Sequence, residues 1–253
     1  MQERALVTGA TSGIGRAIAV RLARRGAAVG LVGRNRGAAE AVAQEVEAAG
    51  GRGHIAIADV SKAAEVKAAV EGFVDAFGGL DTVVASAGIA IGGSITDCAL
   101  EDWDRLMATN LNGAFYLARN AIPHLIKSRG TFTAISSDAG VQAAAGFAAY
   151  IASKHALNGL VKSMALDYGK HGVRCNTVCP AFVETPMADA LLKDASAAEL
   201  AYYRGIVPLG RFASPDEVAA AVAHLTSSEA SYVNGLMYRL DGGSTAGYYL
   251  GTL

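Results

Sequence analysis

Short apolar runs alternate with longer, alanine-rich amphipathic stretches from the first residues to about Leu240. Seven runs have the length and β character of strands: 5–8, 28–32, 54–58, 82–86, 131–136, 174–178 and 236–240. They are nearly uniformly apolar rather than alternating, as expected of parallel strands covered on both faces. Between them, a 3.6-residue periodicity predicts helices over 13–25, 38–49, 63–77, 101–128, 150–170 and 215–227. Right-handed crossovers wind such βαβ units into an α/β fold, a doubly wound seven-stranded parallel sheet with helices on both faces and ligands at the carboxyl ends of its strands. Several helix starts carry their own signals, Ser61 before the third and Ser214-Pro215-Asp216-Glu217 before the last. The segment 182–209 breaks the alternation: it holds Pro186, Pro208 and two short helical patterns, and reads as a lid over a site or as a surface excursion. No repeat or linker interrupts the chain, so 1–253 is expected to be one domain.

Composition narrows the class. Hydrophobic residues make up 52% and charged residues 18% of the 253, which excludes intrinsic disorder. The net charge is -1 and no basic block exceeds Arg24-Arg25, so neither nucleic acid nor an anionic membrane is an expected partner. Every apolar run stops short of the roughly 18 residues of a membrane span. Met1-Gln2-Glu3-Arg4 leads straight into the first strand, leaving no room for a signal peptide, and a cytoplasmic location is expected. Cys98, Cys175 and Cys179 are odd in number with no C-x-x-C pair, and read as reduced core residues. Five histidines form no metal-binding pattern, and Trp103 reads as a helix-start aromatic packed on the core.

Two constellations carry chemistry. Thr8-Gly9-Ala10-Thr11-Ser12-Gly13-Ile14-Gly15 follows the first strand and opens the first helix. Glycines there allow a sharp turn and close approach to a pyrophosphate, whose charge the free N–H groups of the helix start attract. The spacing lacks the G-K-[ST] of a phosphate-transferring loop, which disfavours a kinase or NTPase. Tyr150 and Lys154 lie one turn apart on a helix face, and Ser137 ends the fifth strand beside the expected crevice. A serine hydroxyl, a phenol and an ammonium together make an acid/base site for a carbonyl and its alcohol. Asp138 could face that pocket or cap a turn.

These residues resemble the short-chain dehydrogenase/reductase family, and the likeness extends over nearly the whole chain. It implies a Rossmann fold and identifies the tetrad as Asn110, Ser137, Tyr150 and Lys154, with the step from Ser137 to Tyr150 matching. By resemblance Tyr150 is the general acid, Ser137 polarises the carbonyl oxygen, Lys154 lowers the phenol pKa and holds the nicotinamide ribose, and Asn110 interrupts its helix and orders a water. From the residues alone, Asn110 and Asn112 are equal candidates. The cofactor site is expected at Gly9, Thr11, Ser12, Gly13, Ile14 and Gly15, with Asp59 and Val60 on the adenine side. Ser86, Ala87 and Gly88 follow the fourth strand, and Pro180, Val183 and Thr185 follow the sixth, alongside Tyr150 and Lys154. The chain departs from the family at Ser86, where Asn is common, and at Ala181, where Gly is common.

The end of the second strand points to NADP rather than NAD. Gly33 stands where an NAD enzyme places an acid for the ribose diol, and Arg34, Asn35 and Arg36 follow, with an arginine fork suited to a 2′-phosphate. Adding Gly33→Asp to Arg34→Ala is expected to reverse the preference. The expected substrate is a small hydrophobic carbonyl compound or alcohol, in a pocket holding Ile91, Val141, Phe147, Met187, Leu191, Tyr202 and Tyr203. The alternatives are a 3-oxoacyl thioester on acyl carrier protein, docked near Lys127 and Arg129, and a catalytically silent dinucleotide sensor. The resemblance implies a homotetramer, with a dimer second.

Overall fold

The computed structural model describes residues 2–247 and Tyr249. Its strands are β1 Arg4–Thr8, β2 Ala28–Gly33, β3 Arg52–Ile57, β4 Thr82–Ala85, β5 Thr131–Ile135, β6 Arg174–Pro180 and β7 Met237–Leu240. All pair in parallel, in the order β3-β2-β1-β4-β5-β6-β7. The helices are α1 Gly13–Ala23, α2 Arg36–Ala48, α3 Ala63–Phe77, α4 Leu100–Met107, α5 Gly113–Ser128, α6 Ala148–Tyr168, α7 Pro186–Leu192, α8 Ala197–Gly205 and α9 Pro215–Thr226. One face of the sheet is sealed by α3, α5 and α6, through Val70, Phe73, Leu117, Leu125 and Leu157; the other by α1, α2 and α9, through Ile18, Leu22, Val46, Val222 and Leu225. Phe73 and Phe132 have no exposed surface, and each such burial is worth about 2–3 kcal/mol.

The inner strands β1, β2, β4, β5 and β6 are buried on both faces because helices cover both. The edges differ from the sequence reading. Arg52 and Ile57 on β3, and Tyr238 and Arg239 on β7, reach solvent, since an edge strand has helix cover on fewer sides. The expected helix 101–128 is three pieces, with a π-helical turn at Ala108–Asn112 between α4 and α5. Cys175 and Cys179 are buried as expected, whereas Cys98 is only half-buried in the loop before α4. Trp103 is exposed, with Leu106 instead facing inward from α4.

The chain leaves β1 toward β2 and β3, then returns to β4 on the other side. A crevice therefore opens at the carboxyl ends of β1 and β4, where the strand order reverses.

Candidate active site

The crevice is a cleft of about 650 Å³. Gly9 turns the chain out of β1 with φ +65°, and a Cβ there would lie 2.8 Å from Ala87 Cα. At Gly15 a Cβ would come within 2.2 Å of the Gly9 carbonyl oxygen, so α1 can start this close to the loop only with glycine. Ser12 is the N-cap of α1, yet its side chain makes no capping bond and the first turn holds no acid. By contrast, α8 and α9 close their first turns with Ser–Glu capping boxes. The N–H groups at the head of α1 are thus left for an anion, and Gly9, Thr11, Ser12, Gly13, Ile14 and Gly15 all line the cleft. That donor set fits a dinucleotide pyrophosphate.

Asp59, Val60, Ser86, Ala87 and Gly88 form the facing wall. Thr8 fastens it: its buried hydroxyl accepts hydrogen bonds from Ser86 N at 3.1 Å and Ala87 N at 3.2 Å, so the wall is held with serine at position 86. Ala181 is not among the positive-φ residues, so the missing glycine costs no backbone strain there.

At the adenosine end, Arg34 is exposed on the cleft rim. The Ser61 hydroxyl and N–H hold the Asp59 carboxyl below its usual range, and the Arg34 charge adds to this. A Cβ on Gly33 would sit 2.6 Å from Thr11 Cγ2, so an acid at position 33 has no room unless Thr11 yields. The reversal expected of Gly33→Asp therefore also requires the Thr11 side chain to turn aside. Asn35 and Arg36 do not line the cleft: Asn35 Oδ1 caps α2 by accepting from Ala38 N at 3.0 Å, and Arg36 opens the helix. Sequence reasoning missed Arg105 and Thr109, which also line the cleft. Their signal was their spacing, four residues apart on the helix leading to Asn110.

The segment after β6 contributes unevenly. Thr185 lines the cleft, its Cγ2 lying 3.2 Å from where a Gly13 Cβ would stand, while its hydroxyl caps α7 and donates to Val183 O. Pro180 and Val183 do not line it; Val183 is buried and bridges to Ala213. Ile91 and Met187 border the cleft, but Tyr202 is 65% exposed and Tyr203 packs on Phe182 at 5.4 Å, so the expected substrate residues do not all gather in one pocket.

Four side chains converge beyond Gly88. Ser137 follows β5, while Tyr150 and Lys154 lie on the first turns of α6. The Lys154 ammonium stands 5.6 Å from the Tyr150 ring centroid and donates to Ile135 O at 3.0 Å. Burial pushes it down to about 8 and pushes the Tyr150 phenol up to about 12, the Ser137 hydroxyl pulling the other way on the phenol. The expected lowering of the phenol pKa is thus not what this environment produces, because desolvation dominates. The π turn aims Asn110 inward and leaves Asn112 exposed. Asn110 Nδ2 donates to Ile89 O and Ser153 Oγ, and Oδ1 accepts from Ile89 N, so its amide clamps the chain after Gly88.

Lys127 and Arg129 lie elsewhere. Arg129 shares a separate hollow with Thr82, Thr131 and Arg174, the first residues of β4, β5 and β6, at the end of the sheet away from the cleft.

A doubly wound sheet with a pyrophosphate cradle at its switch point and a Ser–Tyr–Lys cluster beside it defines a dinucleotide-dependent dehydrogenase or reductase acting on CH–OH groups. The sequence matches the family described as enoyl-(acyl carrier protein) reductase over residues 9–245. It is 39% identical to the 3beta-hydroxysteroid dehydrogenase of Mediterraneibacter gnavus, covering 95% of this chain and 94% of that protein. It is 35% identical to a 3-oxoacyl-(acyl-carrier-protein) reductase of Thermotoga maritima, covering 94% and 96%. The crystal structure of levodione reductase superposes with a TM-score of 0.94 at 31% identity, covering 97% and 98%. The chain belongs to the short-chain dehydrogenase/reductase family, whose members use nicotinamide dinucleotides.

Proposed function

We propose that the protein is an NADP(H)-dependent oxidoreductase that interconverts a ketone and a secondary alcohol, with Tyr150 as general acid and base. The observation that carries this reading is the convergence of the Ser137 hydroxyl, the Tyr150 phenol and the buried Lys154 ammonium beside the glycine-built cleft. A nicotinamide bound there supplies or accepts the hydride. Tyr150, holding its proton at neutral pH, delivers it to the carbonyl oxygen in reduction. Oxidation starts from the phenolate, beside which the Lys154 ammonium stands 5.6 Å from the ring centroid. Ser137 orients the substrate oxygen, and Asn110 keeps Gly88 and Ile89 in place through its bonds to the Ile89 backbone.

The choice of NADP is supported by Arg34 on the cleft rim and by Gly33, which puts no acid beside it. A charge-assisted contact to a 2′-phosphate is worth about 1.5 to 3 kcal/mol, or a preference of about one to two orders of magnitude in kcat/KM. The apolar residues Ile91 and Met187 support a hydrophobic substrate. Trp103, Phe115 and Leu166, exposed on α4, α5 and α6, support assembly of copies through those helices, as a tetramer. A silent dinucleotide sensor would have no need for Ser137, Tyr150 and Lys154 together.

The test is a panel of hydrophobic ketones, alcohols and 3-oxoacyl thioesters with NADPH and NADH. Turnover with NADPH is expected, and Tyr150→Phe should bind NADPH normally while losing turnover by orders of magnitude. Full activity in that variant, or equal use of NADH by the native protein, overturns the reading.

A further inference from the structure

Asp138 has no part in the chemistry above, yet it touches the residue expected to meet the substrate oxygen. Ser137 Oγ donates its only proton to Asp138 Oδ1 at 2.9 Å. Ala139 N donates to the same carboxylate oxygen at 2.8 Å and, more loosely, to Ser137 Oγ at 3.2 Å. While that proton is held by Asp138, Ser137 presents lone pairs to anything that approaches it. An alcohol can donate to such an oxygen. A ketone carbonyl, which only accepts, must first take the proton away from a carboxylate.

We propose that Asp138 is a positioning residue that makes the site favour bound alcohol over bound ketone, by holding the Ser137 proton. The inference rests on the proposed function, in which Ser137 meets the substrate oxygen. Burial holds the Asp138 carboxyl above its usual range, against the opposing bonds from Ser137 and Ala139. The titratable groups facing it are Tyr150 from α6 and Asp241 from the turn after β7, and the Asp241 charge adds to the rise. As pH falls the carboxyl gains a proton, its hold on Ser137 weakens and the hydroxyl is released toward a carbonyl. Ketone affinity therefore rises on the acid side. The equilibrium constant fixes the ratio of kcat/KM values in the two directions, so Asp138 acts on the KM values, with compensating changes in kcat.

The experiment is steady-state kinetics in both directions, over a range of pH, for one alcohol/ketone pair that the native protein turns over. A charge-assisted bond of this kind predicts that Asp138→Ala lowers the ratio of ketone KM to alcohol KM about tenfold at neutral pH. Its kcat/KM values should change by one common factor. Asp138→Asn, nearly the same shape, keeps an acceptor without the charge and should give an intermediate ratio. The acid-side fall in the ratio should vanish in both variants. An unchanged ratio in Asp138→Ala, or native pH dependence in Asp138→Asn, overturns the inference while leaving the proposed function standing. A native protein that turns over no such pair overturns both.

Discussion

Lys154→Met should make the protein more stable while removing its turnover. The ammonium is buried, and its fall from the ordinary 10.5 to about 8 corresponds to about 3 kcal/mol by which the folded state disfavours the charge. Methionine fills a similar volume without that cost, but leaves the Ile135 carbonyl, now bonded at 3.0 Å, without its donor, a loss of about 1 kcal/mol. The net gain at pH 7 is about 2 kcal/mol, or about 4–8 °C in Tm for a chain of this length. The sign with pH follows from the folded pKa lying below the unfolded one. The cost is full below about 8 and fades as pH rises from there to 10.5, where the unfolded chain also loses its proton. The advantage of the variant should therefore shrink by about 2 kcal/mol between pH 7 and about pH 9.5. Urea denaturation at both pH values, beside thermal scans and activity assays, measures it. A variant less stable than the native protein at pH 7, or an advantage equal at both pH values, refutes the reasoning.

Gly15→Ala should abolish dinucleotide binding and lower stability by several kcal/mol, since a Cβ 2.2 Å from the Gly9 carbonyl forces α1 off the loop; titration with NADPH and thermal scans read both effects. Gly33→Asp combined with Arg34→Ala should fail to create tight NADH binding until Thr11→Gly is added to remove the methyl 2.6 Å away, which a fluorescence titration of the variants with NADH checks. The segment 182–209 should be the first site of limited proteolysis and gain protection from NADPH, because α7 and α8 bury no residue while Thr185 lines the cleft. Equal cleavage with and without NADPH would count against its closing over the cofactor.

The strand–helix alternation, the glycine loop and the Ser137, Tyr150 and Lys154 set were legible in the chain itself. Each depends on short-range physics: apolar periodicity selects the element, glycine permits the turn, and i, i+4 spacing sets the helix face. The capping box at Ser214 and Glu217 was half visible in the same way, as an N-cap followed by acids. Edge strands were not, because an isolated apolar run does not show which neighbours it will pair with; only the order of the sheet exposed Arg52 and Arg239.

The choice of Asn110 over Asn112 likewise needed the fold. A π turn rotates the helix so that one amide meets Ile89 and Ser153, and those partners are 21 and 43 residues away. The filled space at Gly33, the remoteness of Arg129 from the cleft and the grip of Asp138 on Ser137 were decided only when side chains from separate elements packed together. Ionisation belongs to the same class. Sequence names the phenol and the ammonium, but desolvation by the assembled core sets Tyr150 near 12 and Lys154 near 8, and burial is a property of the whole fold.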